Sequence, residues 1–356
     1  MKFTTNKNKF ETVIASMQPF LEKKDSSAIT SHIYIEIVQN YLLIKATDYE
    51  MGLEAKIETI TEIEDGKATV NGSNLLNIIR RLKNEDINFE VENNNLIIKQ
   101  NKSLFKLPMY DANEYPNFPS LNDLNNLDIN TINLINSIKK ITPAIDNNNP
   151  KFELNGALID IKEDKINFVA TDTRRLAVSY LENISNTPMQ IIIPKKAIIE
   201  IQKLFFDQTK TSYDEVHLIL SNNNYTFFTK LINGKFPDYA RIIPNSLKYE
   251  LTISKSLMIE SIKLITSLRP NIKITFSSDN ILFESVDEDS EAKTQIDINL
   301  NIQDTFYIAV NSKYLLDFLS STNSENIKIG FNESNLPFYL EDNKFKTIIM
   351  PIILDK

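Results

Sequence analysis

The chain contains no cysteine and no tryptophan, and it has only 6 glycines and 2 histidines in 356 residues. Without cysteine there is no disulfide, no thiolate metal site and no thiol nucleophile, a usage that fits a reducing compartment. The few glycines form neither a GxGxxG fingerprint nor a P-loop, so the usual phosphate-cradling loops are missing. His32 and His217 lie far apart, with Glu36 and Glu215 near them, and neither sits in a metal-binding spacing. Both read as surface or internally satisfied imidazoles. No apolar run reaches the roughly 18 residues of a membrane span. The opening MKFTTNKNKF lacks the apolar centre of a signal peptide. The expectation is a cytoplasmic protein with no membrane partner.

What is present is ordinary for a globular chain: 42% hydrophobic and 24% charged residues, with length enough for two or three domains. The pattern repeats. VNGSNLLNIIRRL (70–82), IPKKAIIEIQKLF (193–205) and VNSKYLLDFLSS (310–321) each run from an apolar residue through Asn or Pro into a one-faced amphipathic helix. Each is followed by alternating strand segments joined at NNN, NNN and NESN, which are turn signals. IKATDYEMGLEAKIE (44–58) resembles FVATDTRRLAVSYLE (168–182), and FESVDEDSEAKTQID (283–297) is a weaker third copy. EYPNFPS (114–120) matches KFPDYAR (235–241) as an exit loop. NKFETVIASMQPFL, TINLINSIKKI and SKSLMIESIKLITSL open the three copies with a further helix. A period of about 120 residues is a domain rather than a solenoid unit. The expected domains are 1–120, 121–245 and 246–356.

The net charge of −8 argues by itself against a nucleic-acid partner. Its distribution argues the other way. The six helical windows and their flanks hold 16 Lys and Arg against 6 Asp and Glu, so the rest of the chain is strongly acidic. Basic helix faces are common on solvated surfaces, but six of them in a repeated frame suit one polyanion held through its phosphates, without base reading. Few aromatics interleave the lysines, which disfavours stacking on single strands.

The triplication, the start MKFT, VATDTRRLAV, KLINGKFPDYARIIP and the ending IIMPIIL together resemble the bacterial DNA polymerase III beta subunit family, the sliding clamps, over essentially the whole chain. The resemblance implies an α+β fold of three repeated DNA-clamp domains, each with two helices packed on antiparallel sheets, forming a head-to-tail dimeric ring. It implies no cofactor, no metal and no catalysis, nucleotidyltransferase activity belonging only to the complex. Partners would be encircled double-stranded DNA, a second copy, a clamp loader, the replicative polymerase alpha subunit, and other polymerases or repair proteins bearing a short linear peptide. The peptide pocket carried over comprises Leu154, Thr171, Thr173, Arg174, Arg175, Leu176, Pro237, Arg241, Ile242, Asn311, Tyr314, Ile348, Met350 and Pro351. Leu176, Ile242, Ile348 and Met350 would anchor apolar side chains. Arg175 and Arg241 would hold peptide carbonyls or a carboxylate, although Arg175 could equally pair with Asp172. DNA-facing residues would be Lys23, Lys24, Arg80, Arg81, Lys139, Lys140, Asn148, Asn149, Lys195 and Lys196. Phe105 and Leu107 would face Leu264 and Ile265 across the dimer interface, and the protein would sit at replication forks in the nucleoid. Thr173-Arg174 replaces a common Gly-His, Ile353 stands where Arg is common, and Asp355-Lys356 extends the end, so the outer rim departs from the family.

Two other readings compete. One is a phosphoester hydrolase using Asp172 with Arg174 and Arg175, which would need a metal or base; the run VDEDSE is the nearest candidate and reads better as a solvated loop. The other is a monomeric adaptor that uses the pocket without surrounding DNA.

Overall fold

The Asn that precedes two of the repeated helices is a helix cap. In the computed structural model, which describes residues 1–58, 60–244, 246–267, 270–286 and 291–354, the Asn71 side chain accepts the Asn74 amide at 3.0 Å and Asn311 accepts the Lys313 amide at 3.0 Å. Asn6 caps the first helix in the same way. Arg269, residues 287–290 of the VDEDSE run, and Asp355 and Lys356 lie outside the described residues. The six expected helices are α1 (Lys7–Met17), α2 (Gly72–Arg81), α3 (Thr131–Ile141), α4 (Lys195–Leu204), α5 (Lys255–Ile265) and α6 (Ser312–Ser321).

The chain packs as two units, and their limits differ from the sequence repeats. The first comprises Met1–Ile132 and Ile199–Leu231; the second comprises Asn133–Ile198 and Ile232–Lys356, so the division passes through α3 and α4. In the first unit a five-stranded sheet runs in the order Ile60–Glu64, Lys2–Asn6, Asp86–Glu92, Asn95–Gln100, Ser103–Pro108. Phe3, Phe10 and Phe89 pack at its centre, Phe3 and Phe89 stacked at 4.6 Å, so α1 is seated on the sheet by aromatic burial. Asn93 and Asn94, at φ 49 and 59, make the tight turn that the first NNN signalled. The unit's second sheet has eight strands: Asn125–Asn126, Lys210–Tyr213, His217–Ser221, Tyr225–Lys230, Met51–Ile57, Tyr41–Thr47, His32–Val38, Lys67–Asn71.

The second unit repeats this scheme. Its eight-stranded sheet runs Met189–Pro194, Gly156–Ile161, Lys165–Thr171, Arg175–Glu182, Phe345–Ile349, Phe338–Asp342, Asn326–Phe331, Tyr249–Ser254. A four-stranded sheet follows the order Lys293–Asp297, Asn280–Ser285, Asn271–Phe276, Phe306–Asn311. Phe306 of this sheet stacks at 4.2 Å on Phe331 of the eight-stranded one. Both eight-stranded sheets join strands from successive repeats: Gly52 lies opposite Phe228 in one, and Leu176 opposite Ile348 in the other. A repeat that stopped at its own last strand would leave a row of amides and carbonyls bare, and pairing with the next repeat satisfies them.

Candidate functional site

The motif ATDTRRLA is a turn between two strands of the second unit's eight-stranded sheet, and its residue types follow from the turn's hydrogen bonds. The Thr171 hydroxyl donates to the Arg175 carbonyl at 2.6 Å and accepts the Thr173 amide at 3.1 Å. One Asp172 oxygen accepts the amides of Arg174 (3.0 Å) and Arg175 (2.9 Å). Thr173 holds φ at 70°, in the left-handed region.

Of the two roles weighed for Arg175, the pairing with Asp172 is the one present. The arginine side chain is only 5% exposed, and its donors are committed within the chain. Nε donates to Asp172 at 3.0 Å, one terminal nitrogen to Asp317 at 2.7 Å, and the other to the Pro143 carbonyl. The guanidinium lies 4.5 Å from the centre of the Tyr314 ring. Burial, with the Asp172 charge beside it, raises the Tyr314 hydroxyl above its usual range. All three Arg175 nitrogens are thus engaged within the chain. Both Asp172 oxygens accept hydrogen bonds, one from two backbone amides and the other from Arg175 Nε, so the carboxylate shapes the turn and holds the arginine. Among the described residues no group of three or more His, Asp or Glu side chains is placed to hold a metal.

Beside this turn, Leu154, Leu158, Val169, Leu176, Val178, Ile192, Phe236, Tyr239, Tyr339 and Ile348 form a buried apolar cluster. Of the expected pocket residues, Leu154, Leu176 and Ile348 belong to this cluster, and Thr171 is also buried. The rim is open: Thr173, Arg174 and Arg241 are exposed, and Ile242 and Met350 are each 42% exposed although apolar. Pro237, Asn311, Tyr314 and Pro351 are half-buried. The C-terminal segment is pinned along this edge, the Met350 amide donating to the Arg174 carbonyl (2.9 Å) and the Ile352 amide to the Ala309 carbonyl (2.7 Å). Arg241 pairs with Asp238 at 2.8 Å on the surface. The turn carrying Arg241 and Ile242 is anchored from below, where the Tyr239 hydroxyl donates to the buried Asp160 carboxylate at 2.6 Å. Burial and that carboxylate push the Tyr239 hydroxyl well above its ordinary pKa. Leu158, Val169, Val178, Tyr339 and Asp317 were not foreseen. The near-continuous apolar runs of Gly156–Ile161 and Lys165–Thr171, buried on both faces, signal the first two; nothing local signals Asp317.

The basic residues separate into free and engaged. Lys23, Lys24, Arg81, Lys139, Lys196 and Asn148 are exposed. Arg80 lies 3.8 Å from Glu11, and Lys140 sits 5.7 Å from the Phe345 ring centre. Lys195 differs from expectation: its ammonium donates to the Ile145 carbonyl at 2.6 Å and to Asn147 at 2.8 Å, and partial burial lowers its pKa. Asn149 likewise holds Asp146 at 2.9 Å. These two shape the loop after α3 before they meet any ligand.

Phe105 and Leu107 are half-buried on Ser103–Pro108, an edge strand whose Leu104 is exposed. On α5, Leu264 is 61% exposed but Ile265 is 1% exposed. Ile265 is corrected to a core residue, because the helix turns it inward beside Ile262 and Ser261. His32 is buried beside the Tyr110 ring with a backbone hydrogen-bond partner at Thr69, its Nδ1 has no partner among the described residues, and burial lowers its pKa to about 4. His217 faces Asp214 at 3.2 Å rather than Glu215.

Three family models match the chain in series: DNA polymerase III beta subunit, N-terminal domain, over residues 1–119; central domain, over 128–238; and C-terminal domain, over 240–353. The beta sliding clamp of Helicobacter pylori is 39% identical, the alignment covering 99% of this chain and 100% of the relative. A solved Helicobacter pylori beta clamp bound to a DNA ligase peptide superposes with a TM-score of 0.94 at 38% identity, covering 99% of this chain and 100% of that one. A DNA polymerase III beta subunit from Pseudomonas aeruginosa, 24% identical, shares the fold with a TM-score of 0.90. Matched in order by all three domain models and by a full-length relative, the chain belongs to the DNA polymerase III beta subunit family, the beta sliding clamps.

Proposed function

We infer that this chain is a non-catalytic processivity factor that encircles duplex DNA as a homodimeric ring and tethers the replicative polymerase alpha subunit and other replication or repair proteins. The observation that carries this reading is the full-length match to beta sliding clamps, 39% identical over 99% of the chain. The topology of a closed ring gives retention without a fixed register, and non-specific phosphate contacts through mobile side chains suit sliding. The free cations Lys23, Lys24, Arg81, Lys139 and Lys196 are the DNA-facing set we propose, with Arg80, Lys140 and Asn148 beside them. We place the dimer contact at the Ser103–Pro108 edge, through Phe105 and Leu107, against exposed Leu264 of a second copy, a head-to-tail contact that closes on itself. The domain limits near 120 and 245 and a location at forks in the nucleoid of the cytoplasm belong to the same proposal, as does a loader that opens the ring.

The docking site is the rim over the apolar cluster of the second unit. The Helicobacter pylori clamp bound to a DNA ligase peptide supports a linear peptide as the ligand class. Ile242 and Met350 present exposed apolar surface, and Arg241 offers charge next to Ile242. Negative-stain imaging at micromolar concentration should show closed rings of six similar lobes; compact particles would overturn encirclement. Fluorescence polarisation with a labelled peptide ending in Leu–Phe tests the pocket separately. Ile242→Ala with Met350→Ala should weaken binding about tenfold, in keeping with the loss of two exposed anchors, and unchanged affinity would displace the site.

A further inference from the structure

We propose that Asp317, on α6, is a positioning residue of the docking site: it does not meet the peptide but holds the Arg175 guanidinium over the Tyr314 ring and so fixes one wall of the site. This rests on the docking reading above. Arg175 belongs to the 171–175 turn and Asp317 lies 142 positions further on, so their 2.7 Å contact ties the turn to a helix of the following repeat. The Arg175 side chain is 5% exposed and that of Asp317 21%, which limits screening by solvent. Buried ion pairs add little net stability because desolvation offsets their attraction, and their best-attested use is to select one arrangement of neighbouring elements.

The molecule contains its own control. The first unit's eight-stranded sheet repeats the same turn at 47–51, yet Met51 stands where Arg175 stands, as the strand registers show. The repeat of α6 in α4 places Glu200 where Asp317 stands, and Glu200 pairs with Lys203 on its own helix. The framework therefore forms without an Arg–Asp tie, and the tie occurs in the unit that carries the open rim. Lys313 also reaches Asp317, at 2.6 Å, but from an exposed position one turn away.

The test is a double-mutant cycle read by fluorescence polarisation of the Leu–Phe peptide on the full chain, with thermal midpoints recorded in parallel. Asp317→Asn should weaken binding about tenfold, as loss of preorganisation does, with little change in midpoint, and Asp317→Glu should recover part of it. In an Arg175→Met background, Asp317→Asn should cost nothing more, because the aspartate acts through the arginine. Lys313→Ala should leave affinity unchanged. Wild-type affinity in Asp317→Asn, or losses that multiply in the double variant, would overturn the inference while leaving the docking site standing. Absence of binding by the unmodified chain would remove the docking reading, and this inference with it.

Discussion

The two eight-stranded sheets share a backbone and differ in the face they present. Thr47 donates to the Met51 carbonyl at 2.9 Å as Thr171 does to Arg175, and Asp48 accepts two amides as Asp172 does. Tyr49 and Thr173 both sit at φ 70°. The strand registers correspond pair for pair: Lys45 opposite Glu54 matches Val169 opposite Val178, and Tyr34 opposite Thr69 matches Leu158 opposite Ile192. The second sheet thus offers aliphatic side chains where the first has a salt bridge of 3.1 Å and hydroxyls. Gly52 replaces Leu176, and the space is taken by the chain's own rings, Phe118 and Phe228 lying 4.9 Å apart edge to face. Turn and register build the scaffold, and the side chains of one face set the two sheets apart.

The comparison can be broken most forcefully at Gly52. A Cβ there would come within 2.4 Å of the Phe228 ring and 3.0 Å of Phe118, so Gly52→Leu, which imports the docking unit's residue, should destabilise the first unit by about 3 kcal/mol through overpacking. Denaturant unfolding measures this, and a neutral result would mean that the rings yield freely. A comparable effect is expected from acid. His32 occupies the register position of Gly156 and is buried, its pKa lowered to about 4 from 6.5. The unfolded chain takes up a proton below pH 6.5 that the folded chain refuses until about pH 4. Stability should therefore fall as pH drops through that window, by up to about 3 kcal/mol. A His32→Asn variant should lose this part of the slope in thermal melts between pH 6.5 and 4.5. The smallest effect belongs to the Lys45–Glu54 pair, both side chains partly solvated. Lys45→Met should shift the unfolding midpoint by no more than about 1 kcal/mol of stability. A larger loss would make the polar face a structural requirement of the first sheet.

The repeats were legible because each helix must declare an apolar stripe and a cap in its own sequence, as Asn71 and Asn311 do. The sheets that cross from one repeat to the next were not, since the pairing of Leu176 with Ile348 depends on which edge is left bare and leaves no local mark. The same limit applies to the site. Leu154, Leu176 and Ile348 gather as expected, but the commitment of Arg175 to Asp317 is a contact at long separation that composition cannot reveal. Ile265 shows a finer limit. Adjacent apolar residues on a helix point about 100° apart, and the helical phase that exposes Leu264 buries its neighbour.

Thr173 has a consequence for time. A side chain held in the left-handed region carries strain of order 1 kcal/mol, and it also narrows the conformations open to the turn compared with glycine. In the proposed docking site, the rim at Thr173 and Arg174 would meet an arriving peptide already in shape, without a search through alternatives. Exchange of one partner for another at such a surface is governed by how quickly the resident leaves, and residence time becomes the quantity by which partners are ranked.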